Sequence, residues 1–327
     1  MATSPGLDCP RLRENIWQVT LDDPTAFVET PDGCFEVATP QALAFLRVRP
    51  HCTPHNSVAE IARRSGTATD DVAAMLAALR GIGVVGEGSG TVADRLARIV
   101  ELWSGELARD FIGNALLVEG LPREVLVGWL LEMYHYVRDF PAAISVAADH
   151  APVGPLQALL TRYAAEERGH EHFVLETLAN LGLSRAEVVN SRPLVSTQLI
   201  GFLMRDLFAT APGAALLMAA MVEAQEVADE HIEEFQTAVE ARYGLPPRAL
   251  APYFAHQAID SQLGHQRLFA DNPDCFDVRD ETLLDRIVDG LHDLKHGFDL
   301  QALEIRRYYG ASPGAYVPRQ SMPMAAI

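Results

Sequence analysis

AAEERGHEHFVLETLANLG, residues 164–182, decides how the rest of the chain is read, because it sets carboxylates and imidazoles among apolar residues that recur at helical spacing. The pattern predicts one helix from about Leu156 to Leu181, closed by Gly182. Glu167 and His170 stand three residues apart, so on one helix they share a face and can grip a single metal ion. A lone E-x-x-H in an arbitrary protein is more often a solvated acidic face with surface histidines. The neighbouring helices change that balance.

Thirty-five positions earlier lies Glu132, in the run REVLVGWLLEMYHYVRDF that follows Pro122 and that Pro141 is expected to stop. Glu223 and Glu226 fall in a helix expected to run from Ala214 to Tyr243 and to end at Gly244. His256 and Asp260 fall in one that Pro252 opens and that is expected to reach Phe269. Further helical patterns cover Leu96 to Leu117, Gly201 to Phe208 and Thr282 to Tyr309, and Ser184 to Glu187 has capping-box spacing. Acids inside runs as apolar as LVGWLLEMY and LLMAAMVEA are costly unless an arginine or a metal meets them. Four helices that each deliver an acid or an imidazole form the arrangement by which helical bundles hold one or two redox metals. Tyr134 and Tyr136 read as packing or pocket lining, His135 as an E-x-x-H partner of Glu132 or equally a residue that orients a ligand, and Glu226 and His296 as further residues near the site.

Composition bounds the alternatives. With 327 residues, 49% of them hydrophobic, the chain can build two cores, and the expected division is 1–88, 92–310 and a flexible tail over 311–327. A formal charge of −18 gives no field for nucleic acid or anionic lipid. Phosphate-cradling glycine motifs are absent, and Lys295, the one lysine, is the single Schiff-base candidate. Four cysteines without a C-x-x-C pair argue against a zinc knuckle or a disulfide framework. No stretch is apolar for long enough to span a bilayer, and the N-terminus lacks a basic segment followed by an apolar one, so the expected setting is the cytoplasm.

The first 88 residues have a different texture. IWQVTLD, AFVET and CFEVA, separated by Asp-Asp-Pro and Pro-Asp-Gly, predict a small antiparallel sheet. Short helices follow it: Gln41-ALAFLRV, a Ser57-capped VAEIARR, and a third opened by Asp70 and Asp71. A winged-helix regulator has this outline, but the region carries 7 arginines against 11 acidic residues, which disfavours DNA. The sequence PDGCFEVATPQALAFL, followed by SVAEIA and DDVAAMLAALRGIGVV, resembles the small chaperone-like domain of pyrroloquinoline-quinone biosynthesis and related peptide-recognition domains. Those domains add a leader peptide as a strand at a sheet edge, so the resemblance implies a ribosomally made precursor peptide, or a molecule derived from one, as partner.

The helical part resembles the haem-oxygenase-like di-iron oxidases in its E-x-x-H unit, in the separation back to Glu132, and in His256 and Asp260. It also resembles the cofactorless oxidase that completes pyrroloquinoline quinone, most of all at AEERGHEHFVLETLANLGLSRAEV and DLKHGFDLQALEIRRYYG. Both imply a mainly α protein, a haem-oxygenase-like bundle preceded by a small α+β winged-helix-like domain. The di-iron likeness implies two irons and O2 as cosubstrate, with Glu132, Glu167 and His170 holding one iron and Glu223, His256, Asp260 and His265 the other. Leu263 stands where that family's last histidine is expected. His265 is nine positions from His256, half a turn off its face, and would join only through a local unwinding of the helix.

The leading expectation is therefore an O2-dependent non-haem di-iron oxidase acting on a precursor peptide or peptide-derived substrate. A cofactorless oxidase or cyclase with histidines as acid and base is the alternative, and a ligand-sensing winged-helix regulator the third reading. A thiamine-degrading relative would need a cysteine nucleophile on the bundle, and none precedes Cys275 there. The assembly is left open, a homodimer included.

Overall fold

The computed structural model describes residues 17–22, 24–30, 33–53, 56–85, 91–109, 111–223, 229–275, 281–311 and 319. The chain divides into two compact units, residues 1–103 and 104–327.

The first unit opens with strands β1 (Gln18–Asp22), β2 (Thr25–Thr30) and β3 (Gly33–Ala38), an antiparallel meander in the order β1-β2-β3. Alternate residues of β2, Ala26, Val28 and Thr30, are buried, as a half-covered strand requires. Helices α1 (Thr39–Val48), α2 (Val58–Ser65) and α3 (Thr69–Gly81) follow. Ser57 accepts the Glu60 N–H at the start of α2, and Gly66 ends it at φ 67°, the left-handed conformation glycine adopts without strain. Phe45 of α1 packs on Trp17 with ring centroids 4.8 Å apart. Ile61, Val72, Leu76 and Leu79 complete the apolar face of these helices.

Helix α4 (Val92–Arg109) crosses the division between the units, and α5 (Ile112–Val118) follows, so the expected run from Leu96 to Leu117 is two helices. The second unit is built around α6 (Arg123–His150), which packs against α7 (Pro155–Glu166), α8 (Glu171–Asn180), α10 (Val195–Thr210) and α15 (Glu281–Gly310). Pro141 does not stop α6. Proline forfeits its own ladder N–H and crowds the carbonyl four residues back, yet buried Phe140, Ala143 and Ile144 hold the helix on course. Between α8 and α10 lies the short α9 (Arg185–Val189), begun by the Ser184–Glu187 capping box. Gly128 of α6 leaves room for the Tyr309 ring, with which a β-carbon there would collide.

Three further expected helices are shorter than their patterns suggest. The run from Leu156 to Leu181 breaks at 167–170, where Gly169 turns the chain at φ 93° between α7 and α8. Of the span from Ala214 to Tyr243, α11 (Ala214–Val222) ends before Glu223 and α12 begins afresh (Asp229–Tyr243). Glu226 lies outside the described residues. Helix α13 (Ala251–Leu263) stops at Gly264, at φ 74°, and a 3-10 turn (His265–Arg267) leads into α14 (Leu268–Asp271). Of the expected tail, Arg319 is described: its carbonyl accepts the Arg192 N–H at 2.8 Å and its guanidinium donates to the Pro193 carbonyl at 3.1 Å. Among the described residues no helix is long and apolar enough to cross a membrane.

Candidate metal centre

Where those helices end is where the acids and imidazoles meet. Glu167 caps the C-terminus of α7, at the start of the α7–α8 break, and His170 is the residue that precedes α8. His256 and Asp260 project from one face of α13, four residues apart. The left-handed Gly264 then redirects the chain, so His265 escapes the half-turn offset of a continuous helix and is fully buried. Glu223 comes from just beyond α11.

These residues form two groups, Glu167 with His170, His256 and Asp260, and Glu167 with Glu223 and His265; the donor atoms within each lie within 4.8 Å of one another. Glu167 belongs to both. Its Oε2 is 3.4 Å from His170 Nδ1, and its Oε1 is 2.8 Å from His265 Nδ1. Asp260 reaches His170 Nδ1 at 3.2 Å through Oδ1 and His256 Nε2 at 3.1 Å through Oδ2. The two imidazoles, His170 Nδ1 and His256 Nε2, are 3.2 Å apart. Donors at right angles on metal bonds of about 2.1 Å stand about 3 Å from each other, which is the spacing seen here.

Hydrogen bonding alone leaves this cluster unsatisfied. Glu167 Oε1, Glu223 Oε2, Asp260 Oδ1 and His265 Nδ1 are buried without a hydrogen-bond partner. His265 Nδ1 lies 2.8, 3.4 and 3.9 Å from those three oxygens, of Glu167, Glu223 and Asp260 respectively. The other nitrogen of the ring, Nε2, is 3.2 Å from the Glu166 carboxylate. An imidazole that donates there turns a lone pair toward three carboxylate oxygens, an arrangement a cation relieves, and metal-bound histidines commonly donate their far N–H to a carboxylate. Tyr163 O–H donates to Glu223 Oε1 at 2.7 Å and fixes that side chain. The donor set, oxygen and imidazole nitrogen without thiolate, suits iron.

Protons take the cation's place in the metal-free protein. The neighbouring carboxylates of Asp260 and Glu167 raise His170 to about 9. Burial works against the charge on His265, but the adjacent carboxylates of Glu167 and Glu223 prevail and lift it to about 10. Burial also raises Glu223 above the usual carboxylate range, whereas for Glu167 the two imidazoles outweigh burial and hold it below. Desolvation lowers His256. Because the folded values of His170 and His265 exceed the ordinary 6.5, their stabilisation is complete below pH 6.5 and disappears as pH rises through about 9 to 10. The melting temperature of the metal-free protein should therefore fall between pH 6.5 and 10, as measured by calorimetry, while the affinity for ferrous iron rises over the same range. A melting temperature that climbs with pH there would contradict this arrangement.

Among the described residues, the other expected site residues except Tyr136 lie apart from the cluster. Glu132 does not reach it: its buried carboxylate accepts the Leu194 N–H at 3.0 Å, the Tyr309 hydroxyl at 2.8 Å and the Thr197 hydroxyl. Burial raises its pKa against those bonds. Three donors from a loop and two helices thus fill the role that the metal was expected to fill. Tyr136, one turn on, is the α6 residue that feels the cluster, since the charges of Glu223, Glu167 and Asp260 add to burial in raising its phenol. Tyr134 packs beneath the Arg138 guanidinium, and His135 bonds to Ser191. His296 is exposed and pairs with Asp299, away from the acids. Lys295 is held by Glu106 at 2.7 Å and Asp299 at 2.9 Å; burial opposes its charge, yet those ion pairs raise its pKa, which removes it as a Schiff-base nucleophile. Two participants were missed in the sequence, Tyr163 and Glu166, although Tyr163 precedes Glu167 by one helical turn and so shares its face.

Comparison with known proteins agrees with this architecture. A family model described as iron-containing redox enzyme matches residues 127–291, half of the chain, a span that contains every residue of the cluster. A domain of unknown function with a haem-oxygenase-like fold from Shewanella denitrificans is 17% identical with a TM-score of 0.55, and the match covers 70% of this chain and 100% of that one. A TenA homologue from Pseudomonas syringae pv. tomato is 12% identical with a TM-score of 0.48, covering 67% and 98%. No curated protein matches the chain. The Shewanella structure establishes the fold alone, and the family match goes further: the chain belongs to the iron-containing redox enzymes of the haem-oxygenase-like superfamily.

Proposed function

We propose that the protein is an O2-dependent non-haem oxidase with two irons, acting on a ribosomally made precursor peptide or a molecule derived from one. The observation that carries the two-iron reading is the double membership of Glu167, whose two oxygens face different imidazoles. One iron would take Glu167, His170, His256 and Asp260, and the other Glu167, Glu223 and His265. Iron held by mixed oxygen and nitrogen donors with open positions supplies the redox chemistry for oxidation by O2. The protein's own groups do the rest. Glu166 orients His265, and Tyr163 orients Glu223.

Peptide capture by the first unit is supported by the sheet: among the described residues β3 pairs on one side only, with β2, and its residues are exposed or half-exposed. An open edge accepts an extended peptide through main-chain hydrogen bonds.

Reconstitution with ferrous iron without oxygen should load about two ions per chain. Oxidation of a substrate by iron-free protein would instead favour the cofactorless reading. Removal of residues 1–88 should abolish turnover of a full-length precursor and leave iron loading intact, because each unit has a buried core of its own. Processing of the precursor by the truncated protein at the parent's rate would sink the leader-binding part of the proposal.

A further inference from the structure

Beside α6 is a cavity of about 270 Å³ that includes His135, Tyr136, Arg192, Thr197, Phe202 and Arg205 in its lining. Tyr136 connects it to the acid cluster, since the same side chain lines the cavity and feels the charges of Glu223, Glu167 and Asp260.

Two polar features of this lining lack partners. The first is a pair of guanidiniums. Arg205 is half-buried and, among the described residues, donates to the Gly201 carbonyl of its own helix, at 3.1 Å, and Arg192 is exposed at the loop preceding α10. Neither has a carboxylate partner among the described residues, in a chain with 44 acidic against 26 basic residues. The acid that shares the lining, Asp139, is taken by Arg138 at 2.9 Å.

The second feature is His135, which is 1% exposed. The single hydroxyl proton of Ser191 goes to the Val188 carbonyl at 2.6 Å. Ser191 Oγ therefore accepts, and His135 Nε2 donates to it at 2.8 Å. That assigns the tautomer and leaves His135 Nδ1 a lone pair, which is buried and has no partner. Desolvation holds the ring at a pKa of about 4, so it is neutral at physiological pH.

We propose that this cavity binds a molecule bearing a carboxylate, held by Arg205 and Arg192, with an N–H or O–H near that carboxylate donated to His135 Nδ1. The fate of the molecule rests on the oxidase reading above; its binding does not. The guanidiniums offer the fork that carboxylates fit, and a neutral imidazole acceptor beside them selects acids that also carry a donor, as amino acids, hydroxy acids and a peptide's C-terminal residue do.

Calorimetric titration of the full-length, iron-free protein tests this with three probes: N-acetyl-L-leucine, its carboxamide, and 4-methylpentanoate, an acid without the N–H. N-acetyl-L-leucine should bind about tenfold more tightly than either of the others, since each comparison removes one charged or buried hydrogen bond. Arg205→Gln should abolish the preference for the acid over the amide and leave iron loading at the parent's level. The proposal fails if, in the parent, the acid binds no better than its amide or no better than 4-methylpentanoate, or if N-acetyl-L-leucine does not bind at millimolar concentration. Loss of iron binding by the parent would strike the oxidase reading and leave this result standing.

Discussion

Replacing Glu167 by alanine should empty both metal positions at once, lowering ferrous loading from about two ions per chain to fewer than about one half. Its Oε1 and Oε2 serve different imidazoles, and no other residue belongs to both groups. Glu223→Ala removes a donor from one group only, so it should retain about one ion, with the loss confined to the position shared with His265. Anaerobic titration followed by metal analysis separates the two variants. If Glu167→Ala loads iron as the parent does, the assignment of the centre is wrong. If both variants lose the same amount, the two groups are not separate positions.

Glu132→Ala should do the reverse, costing stability and sparing the metal. The substitution leaves three buried donors without an acceptor, the Leu194 N–H and the hydroxyls of Thr197 and Tyr309. At about 1–3 kcal/mol for each orphaned group, with some relief from relaxation, the expected loss is about 4 kcal/mol. For a unit of this size that is a fall in melting temperature of roughly 10 °C. Glu132→Gln keeps an acceptor and should lose less. Thermal unfolding with and without iron, together with loading measured below the transition, reads both effects. Loss of one iron without loss of stability would restore Glu132 to the ligand set.

The contrast between Glu132 and His265 shows what a sequence discloses about such a site. His170, His256 and Asp260 follow from local spacing on α8 and α13, and so does Glu167, although its helix breaks at Gly169. Helical periodicity continued through Gly264 puts His265 half a turn off the face of His256, and the glycine's left-handed conformation resets that phase. The glycine is the available signal, and reading it as a helix end frees the histidine from the helical phase of α13. Glu132 gave the opposite error. An acid in an apolar run does need a partner, but its partners here are 62, 65 and 177 positions away, and no local pattern announces them. The same holds for the pairing of Arg319 with Arg192 and Pro193. The order of strands and helices in the first unit was legible throughout, because its turns and caps are local: Ser57, Gly66 and the acidic start of α3.

Four of the six candidate ligands, Glu167, His170, Glu223 and His265, are supplied at or just past helix ends, and only His256 and Asp260 project from a helix interior. Helix ends open on far less free energy than helix centres do. The bundle built on α6 can therefore be complete while its ligand-bearing ends still fluctuate, and the last piece of order would arrive with the ion. Amide hydrogen exchange would register this as a division of the molecule in time: slow exchange along α6 whether or not iron is present, and protection at residues 167–172 and 264–267 that rises severalfold only on loading. A protein that exchanged in this way would fold before it met its metal and could be charged, emptied and charged again without unfolding.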